Sequence, residues 1–472
     1  MSEIWELGIS DVARELRARS LSALEVVNSL LDRLDMSEDF ARAWAFIDAE
    51  GARSQARAAD KIAAAGSPLG VLHGIPIGIK DVIDVAGMPT GGGSASLRGR
   101  PNALADAGVV RALRSCGAVM LGKTVTHEFA FGQGTPPSRN PWDPSRYAGG
   151  SSVGSGVAVA VGSALGTIGT DTGGSVRNPA SVNGLVGLKP SAGLIDGSGV
   201  LNVSRTLDQV GAIARNVEDC SLLFQGMVAQ CHAKDVREGA HRNLSGKESR
   251  SPRVAVDRSS WAEWGVTVGV QEAVDDAIST LGDLGIEIVE MSFPNMSMAL
   301  PASLAIALSE ATEYHRHRLR HHAPDYLAET RVMLETGALV SAADVTFAHE
   351  VRASLRSSLH RAMEESGLTA VVSPTLPAIA PLVDEMTHEL TASTGDQSLS
   401  SAVRILSPAN MTGMPALSVP CGFASGQPVG LHVMGPLFSD AMLLELARSY
   451  EDATLWHSYV PVRTLPAQSE NL

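Results

Sequence analysis

The stretch YAGGSSVGSGVAVAVGSALGTIGTDTGGSVRNP, residues 147–179, contains two serine clusters embedded in glycine. The first cluster is GGSS at 149–152 and the second is GGS at 173–175, with small apolar residues between them. Glycine before a serine permits backbone conformations that other residues avoid, and it leaves N–H groups uncovered. A hydroxyl beside uncovered N–H groups suits acyl transfer, which needs a nucleophile and donors for the developing oxyanion.

A base for such a nucleophile is missing from this stretch, because no histidine lies in it or near it. Upstream, the apolar run GIPIGIKD at 74–81 contains a single lysine, Lys80, and is typical of a buried strand with the ammonium at its tip. Full burial lowers the pKa of a lysine by up to ~3–5 units, so that it can act as a base near neutral pH. The sequence therefore predicts Lys80 as the base.

The motifs that contain Lys80, Ser151 and Ser175, and the spacing of the two serines, resemble those of the amidase signature family of Ser-cisSer-Lys hydrolases. The resemblance covers most of the chain. Its further motifs are GAVMLGKT at 117–124, NPWDP at 140–144, GLVGLKP at 184–190, SPTLP at 373–377, NMTGMPA at 410–416 and PVGL at 428–431. It implies an α/β fold with a large twisted mixed sheet flanked by helices on both faces, and neither a cofactor nor a metal.

The resemblance also implies roles for the three residues. Ser175 attacks an amide carbonyl, and Ser151 passes the proton of Ser175 to a neutral Lys80. The Gly150–Ser151 peptide is expected to be cis, as in the family.

The loop around Ser175 is expected to form the oxyanion hole. Its donors would be the backbone N–H groups of Thr172, Gly173, Gly174 and Ser175. Asp171 and Arg177 are expected to hold this loop by an ion pair and hydrogen bonds, without taking part in the chemistry.

Composition limits the function classes. The 472 residues carry a formal charge of −14, which argues against sequence-independent binding to nucleic acid. The four cysteines, Cys116, Cys220, Cys231 and Cys421, are scattered without CxxC spacing, as in reduced cytosolic proteins. The N-terminus lacks signal-peptide features and no 18-residue apolar segment exists, so we expect a cytoplasmic protein without a membrane span.

The chain is predicted to be one amidase domain in four regions. These are an N-terminal helical layer at 1–65, a catalytic core at 66–230, a surface loop at 231–252 and a remaining α/β and helical substrate-funnel region at 253–472.

Several elements are predicted within these regions. Residues 71–79 form the first strand, residues 154–165 a helix of small residues, and residues 166–170 the strand before Ser175. The β-α-β order of residues 253–290 predicts parallel pairing, and residues 304–365 are mostly helical.

Two other motif matches are disfavoured by their context. Residues 117–124 fit the phosphate-binding pattern G-x-x-x-x-G-K-T, but the inner residues Ala-Val-Met-Leu are typical of a strand. Ser152 fits the centre of a G-x-S-x-G nucleophile elbow, with His432 or His457 as a partner. An elbow follows a strand directly, whereas residues 140–149 carry two prolines and two glycines and are typical of a loop.

A histidine cluster suggests a metal site. His317 and His321 are one helical turn apart and could bind a metal together. His315 and His322 flank them among arginines, and His127-Glu128 lacks the second histidine of a zincin pattern. The favoured interpretation is a solvated basic helix face.

Two function classes remain open. The first is a hydrolase of a small amide, carbamate or urea-like compound. The second is a protein resembling the A subunit of the tRNA-dependent amidotransferase, which releases ammonia from glutamine inside an assembly. The acidic charge favours the first, as do departures from the family pattern at Val153, 125–126 and 147–148. An inactive scaffold is disfavoured because all three catalytic positions are intact. The family also suggests a homodimer.

Overall fold

The computed structural model describes residues 3–131, 134–229, 252–386 and 398–461, without the side chains of residues 398–402. The surface loop predicted at 231–252 lies, apart from Pro252, outside these residues.

A single eleven-stranded mixed sheet forms the centre of the described chain, in the order β1-β3-β2-β4-β6-β5-β10-β11-β9-β7-β8. The strands are β1 (Trp44–Ile47), β2 (Pro76–Lys80), β3 (Val119–Thr124), β4 (Gly166–Asp171), β5 (Val186–Lys189), β6 (Gln209–Ala214), β7 (Arg253–Val256), β8 (Glu287–Glu290), β9 (Ala370–Pro374), β10 (Ala416–Ala424) and β11 (Gln427–Met434).

Helices pack on both faces of this sheet, as predicted. The helices are α1 (Ile9–Ala18), α2 (Ala23–Ala41), α3 (Ala49–Ala64), α4 (Gly108–Ser115), α5 (Val153–Ala160), α6 (Arg177–Val182), α7 (Val217–Val228), α8 (Arg258–Glu263), α9 (Val268–Asp283), α10 (Ala299–His322), α11 (Ala328–Gly337), α12 (Ala342–Glu365), α13 (Ser398–Thr412) and α14 (Asp440–Asp452). The helices from α10 to α12 confirm the helical prediction for residues 304–365.

The strand β2 brings the sequence motifs together. It pairs in parallel with β3 on one side and with β4 on the other. A Cβ at Gly78 would lie 3.0 Å from the side chains of Thr124, Thr167 and Trp44, so glycine allows these neighbours to pack closely. Because parallel strands end at the same edge of a sheet, the last residues of β2 and β4 are neighbours in space.

One predicted strand has different limits in the structure, and another strand was not predicted. Residues 71–74 are turns, and β2 begins only at Pro76, because Gly74 adopts a positive φ of 73° that an extended strand does not permit. The earlier strand β1 was not predicted. This strand has only four residues and pairs antiparallel with β3, which is distant in sequence. Such a short segment contains too little pattern to predict that pairing.

The other predictions about the elements agree with the structure. Strands β7 and β8 pair in parallel, and β4 covers the predicted residues 166–170. The exception is helix α5, which ends at Ala160 rather than at the predicted residue 165, because Gly162 adopts a positive φ of 81° that a helix does not permit. The three cysteines among the described residues are buried free thiols. Within the same residues, no helix has both the length and the apolar composition needed to cross a bilayer.

Candidate active site

Lys80 is the last residue of β2, and its side chain is fully buried. Its Nζ lies 2.8 Å from Oγ of Ser151 and 2.8 Å from Oγ1 of Thr170, which is on the neighbouring strand β4. Burial lowers the pKa of Lys80 to about 7, although the negative charges of Asp208 and Asp171 oppose that shift. Near neutral pH a substantial fraction of Lys80 is therefore uncharged, and the uncharged amine can accept a proton.

The first serine cluster carries a cis peptide bond between Gly150 and Ser151, as expected. A Cβ at Gly150 would lie 2.3 Å from Oη of Tyr147 and 2.5 Å from Nε2 of His127. These two atoms are themselves 2.9 Å apart and share a hydrogen bond. The backbone N–H of His127 also donates to the carbonyl oxygen of Ser151 at 3.2 Å. A side chain at position 150 would therefore force this pair or Ser151 to move.

The second cluster follows directly after β4, which ends at Asp171. The carboxylate of Asp171 accepts hydrogen bonds from the N–H of Gly174 at 2.8 Å and from the N–H of Val176 at 3.2 Å. The loop therefore folds around a buried carboxylate. The N–H of Gly174 was predicted as an oxyanion donor, but it is used inside the protein, which corrects that prediction.

Arg177 holds Asp171 in place. Its guanidinium forms a two-pronged ion pair with that carboxylate, at 2.9 Å and 3.0 Å, and both side chains are completely buried. Burial alone would raise the pKa of Asp171, but the Arg177 charge overcomes it and holds that pKa far below its ordinary value. Arg177 also donates to Asn410 Oδ1 at 2.7 Å and contacts Nε2 of His432 at 2.9 Å, which connects the loop to α13 and β11.

A cavity of about 210 Å³ opens over both serine clusters. Ser151 and Ser175 line it together with the loop residues Thr172, Gly173 and Gly174. The remaining polar side chains of its wall are His127, Tyr147, Asn178 and Ser303. Its apolar wall consists of Ala130, Phe131, Val203, Leu207, Leu300, Leu304, Ala307, Met333, Val403 and Leu406. The two serines thus share one mostly apolar chamber, with Lys80 buried beneath it.

The structure does not favour the competing motif interpretations. Ser152 is fully buried and its hydroxyl donates to the carbonyl of Thr170 at 3.2 Å, outside the cavity wall. His432, its suggested partner, lies beside Arg177 instead. Residues 119–124 form the strand β3, and Lys123 is buried in an ion pair with Asp81 at 3.0 Å rather than at a phosphate loop.

The histidine cluster is divided between core and solvent. His317 and His321 are exposed, with ring centroids 4.9 Å apart. His315 is buried, against the prediction of a solvated face, because its ring packs on Phe129 and its Nδ1 shares a hydrogen bond with Tyr326 at 2.9 Å. Among the described residues, no three His, Cys, Asp or Glu side chains are grouped as a metal site would require.

Several residues at the site were not predicted from the sequence. His127 and Tyr147 line the cavity. Thr170 contacts Lys80, and Asn410 contacts Arg177. Asn410 lies in a motif that carries the family resemblance, which was an available signal. The other three gain their position only from strand pairing and loop packing, for which the local sequence contains no pattern.

Comparison with known proteins shows the family of this chain. A family model described as Amidase matches residues 25–444. An amidase from Pseudomonas putida is 37% identical over 466 residues, covering 98% of this chain and 99% of the relative. The A subunit of the glutamyl-tRNA(Gln) amidotransferase from Roseiflexus castenholzii is 35% identical over 494 residues, covering 98% of both chains.

A solved amidase crystal structure superimposes with a TM-score of 0.84 at 32% identity, covering 94% of this chain and 99% of that one. Sequence and fold agree over nearly the whole length of both proteins. The chain therefore belongs to the amidase family and is an amide hydrolase.

Proposed function

We propose that this amide hydrolase acts through an acyl-enzyme on Ser175 and that its substrate is a small, uncharged, largely apolar amide. The observation that supports the proposal most directly is the 2.8 Å contact between Lys80 Nζ and Ser151 Oγ, directly beneath the cavity that Ser175 lines. This contact pairs a buried base with a hydroxyl that can carry a proton.

In the proposed reaction, Oγ of Ser175 attacks the amide carbonyl carbon and forms a tetrahedral intermediate. The proton of Ser175 passes to Ser151, whose own proton passes to Lys80. The proton then returns through Ser151 to the amide nitrogen, the C–N bond breaks and the amine or ammonia leaves. Water attacks the acyl-enzyme by the same route and releases the carboxylic acid.

The N–H groups of Thr172, Gly173 and Ser175 are the proposed donors to the oxyanion. Loss of one such donor typically costs ~10²–10³ in rate in acyl-transfer enzymes. Asp171 and Arg177 support these donors from beneath, because the carboxylate binds two backbone N–H groups of the same loop.

The cavity wall supports the substrate class. None of the described residues that line it carries an Asp, Glu, Lys or Arg side chain. A charged group placed there would lose its hydration without an ionic partner, which is costly. Apolar groups of a substrate would instead contact side chains such as Phe131, Leu300 and Met333.

The same wall disfavours glutamine as the substrate. Free glutamine carries both an ammonium and a carboxylate, and each would need a partner in the cavity. Overall similarity does not separate the two function classes, because the amidase and amidotransferase relatives are 37% and 35% identical to this chain. The chemistry of the cavity favours the self-sufficient hydrolase.

The test is release of amine or ammonia by the purified protein alone. The panel contains glutamine, short aliphatic amides, aryl anilides and carbamates, with Ser175→Ala and Lys80→Ala as controls. We expect turnover of an uncharged apolar amide and none with either variant. Turnover of glutamine alone would contradict the proposed substrate class, and substantial activity of Ser175→Ala would contradict the proposed nucleophile.

A further inference from the structure

A second cavity shares no lining residue with the substrate cavity, whose wall includes the oxyanion loop, residues 172–175. Its volume is about 300 Å³, and its wall includes Thr170, Asn202, Arg205, Asp208 and Gln209. Thr170 is the residue whose hydroxyl contacts Nζ of Lys80 at 2.8 Å. The second cavity and Lys80 are thus separated by a single residue, Thr170.

Asp208 is fixed between the two cavities. Its carboxylate accepts hydrogen bonds from the hydroxyl of Thr172 at 2.6 Å, the N–H of Val203 at 2.9 Å and the N–H of Ser204 at 3.1 Å. Thr172 and Val203 both line the substrate cavity. A single carboxylate therefore joins the oxyanion loop to the segment that begins at Val203.

We propose that Asp208 is a positioning residue of the hydrolytic reaction, which anchors Thr172 through its hydroxyl and supplies a negative charge next to Lys80. The proposal rests on Lys80 being the base. Asp208 does not touch the substrate cavity itself, so its effect is transmitted through Thr172 and through the electric field at Lys80.

The charges around Lys80 make Asp208 the most effective of its neighbours. Asp171 is also negative, but the guanidinium of Arg177 pairs with it directly and Lys189 acts on it as well. Asp81, next to Lys80 in the chain, is paired with Lys123 on β3. The three hydrogen bonds that the described residues donate to Asp208 all come from neutral groups, so its charge is less compensated.

Other charged groups surround Asp208 at longer range. Arg205 lies on its own segment and lines the same cavity. Glu310 on α10 accepts the hydroxyls of Ser204 and Thr206. Arg352 on α12 donates to the carbonyl of Thr206. Glu310 and Arg352 thus bind Ser204 and Thr206 rather than the carboxylate of Asp208.

The sign of the effect follows from these charges. Burial raises the pKa of Asp208 to about 6, against the lowering effect of its hydrogen bonds, so the group is a carboxylate above that pH. A carboxylate near Lys80 favours the ammonium form and raises the pKa of the lysine. Removal of this charge should therefore make Lys80 neutral at a lower pH.

The test uses labelling of Ser175 by a fluorophosphonate, which needs no knowledge of the substrate. Oγ of Ser175 attacks phosphorus, fluoride leaves, and the proton of Ser175 passes through Ser151 to Lys80. Labelling rates from pH 5.5 to 9.5 are compared for the wild type, Asp208→Asn and Thr172→Val. Asp208→Asn removes the charge and retains an acceptor for Thr172, whereas Thr172→Val removes the hydrogen bond and retains the carboxyl group.

We expect the midpoint of the labelling rate to move down by on the order of one pH unit in Asp208→Asn. Thr172→Val should lower the plateau rate by about tenfold, as the loss of loop positioning predicts. Its midpoint should move down less than that of Asp208→Asn, because loss of the hydrogen bond raises the pKa of Asp208 but leaves the carboxyl group in place. Asp208→Ser is a second uncharged variant with the same expected shift, should the asparagine variant fail to fold. Thermal unfolding confirms which variants are folded.

The outcomes separate this proposal from the proposed function. Labelling of Lys80→Ala with the wild-type rate and pH dependence would overturn the proposed base and this inference together. Loss of labelling in Lys80→Ala, combined with a wild-type midpoint in the folded uncharged variants of Asp208, would overturn only the role of Asp208.

Discussion

Nζ of Lys80 and Oγ of Ser151 lie 2.8 Å apart, at the meeting point of strand β2 and the first serine cluster. Lys80 is completely buried, and its burial lowers its pKa to about 7. A neutral amine at hydrogen-bond distance from a hydroxyl is the arrangement that a proton relay needs. This contact connects two motifs that are far apart in the sequence, and it leads to the first prediction.

The rate should depend on the protonation of Lys80. Because the proposed base is active only when neutral, kcat/KM should rise with pH through a midpoint near 7 and reach a plateau above it. The measurement is kcat/KM from pH 5 to 10 on whichever amide is hydrolysed. Lys80→Arg, which remains charged throughout this range, should lose at least ~10³-fold in rate. A wild-type profile without a rising limb would count against lysine as the base.

Alanine at position 150 should damage the site. Its Cβ would overlap with Oη of Tyr147 and with Nε2 of His127, so Ser151 or this pair must move. We expect kcat to fall by ~10² or more, because small displacements of reacting groups have effects of this size. The matched control is Gly282→Ala, since the added Cβ would only meet Ile288 at 3.9 Å, inside helix α9. Wild-type turnover of Gly150→Ala would show that the site tolerates the added methyl group.

The ion pair between Asp171 and Arg177 should contribute strongly to the stability of the folded state. Arg177→Met leaves the carboxylate of Asp171 buried without its partner, which should lower the free energy of unfolding by ~3–5 kcal/mol and abolish turnover. Chemical denaturation measures the first effect. The control is Arg14→Met, which removes a solvent-exposed ion pair with Asp11 and should leave the unfolding midpoint unchanged. Equal effects of the two substitutions would contradict this account.

Cavity size should limit the substrate. Ala307 on α10 lines the apolar wall, and leucine in its place would reduce the volume available to a substrate. For Ala307→Leu we expect kcat/KM on bulky aryl amides to fall by ~10-fold or more, while short aliphatic amides are affected less. Ala343→Leu, at an exposed position of α12, is the control with the same chemical change. An equal loss for large and small amides would indicate a general disturbance of the helix instead.

Much of the site could be predicted from the sequence, because its chemistry depends on unusual local patterns. A single lysine at the end of an apolar strand and two serines among glycines are visible without any structure. Strand β4 was also predicted correctly. The parallel pairing of β7 and β8 was predicted correctly as well, since alternation of strands with helices indicates parallel order. The limits of β2 were wrong, because a positive φ at Gly74 ends the extended segment.

The remaining site residues could not be predicted in the same way. The N–H of Gly174 was expected to be an oxyanion donor, but it binds Asp171, a detail of loop geometry. His127 and Tyr147 meet above Gly150 only because two loops pack together. Asp208 reaches Thr172 because β6 pairs antiparallel with β4.

The amino-acid sequence by itself determined which groups are proposed to carry the chemistry, since a lysine at the end of an apolar run and glycine-flanked serines are local properties of the chain. Only the tertiary structure decided how these groups meet. The pairing of β2 with β4 places Lys80 next to Thr170, and the packing of α13 and β11 holds Arg177 against Asp171. Such contacts depend on long-range packing, because the order and pairing of the strands determine which side chains meet, and the neighbours in sequence do not.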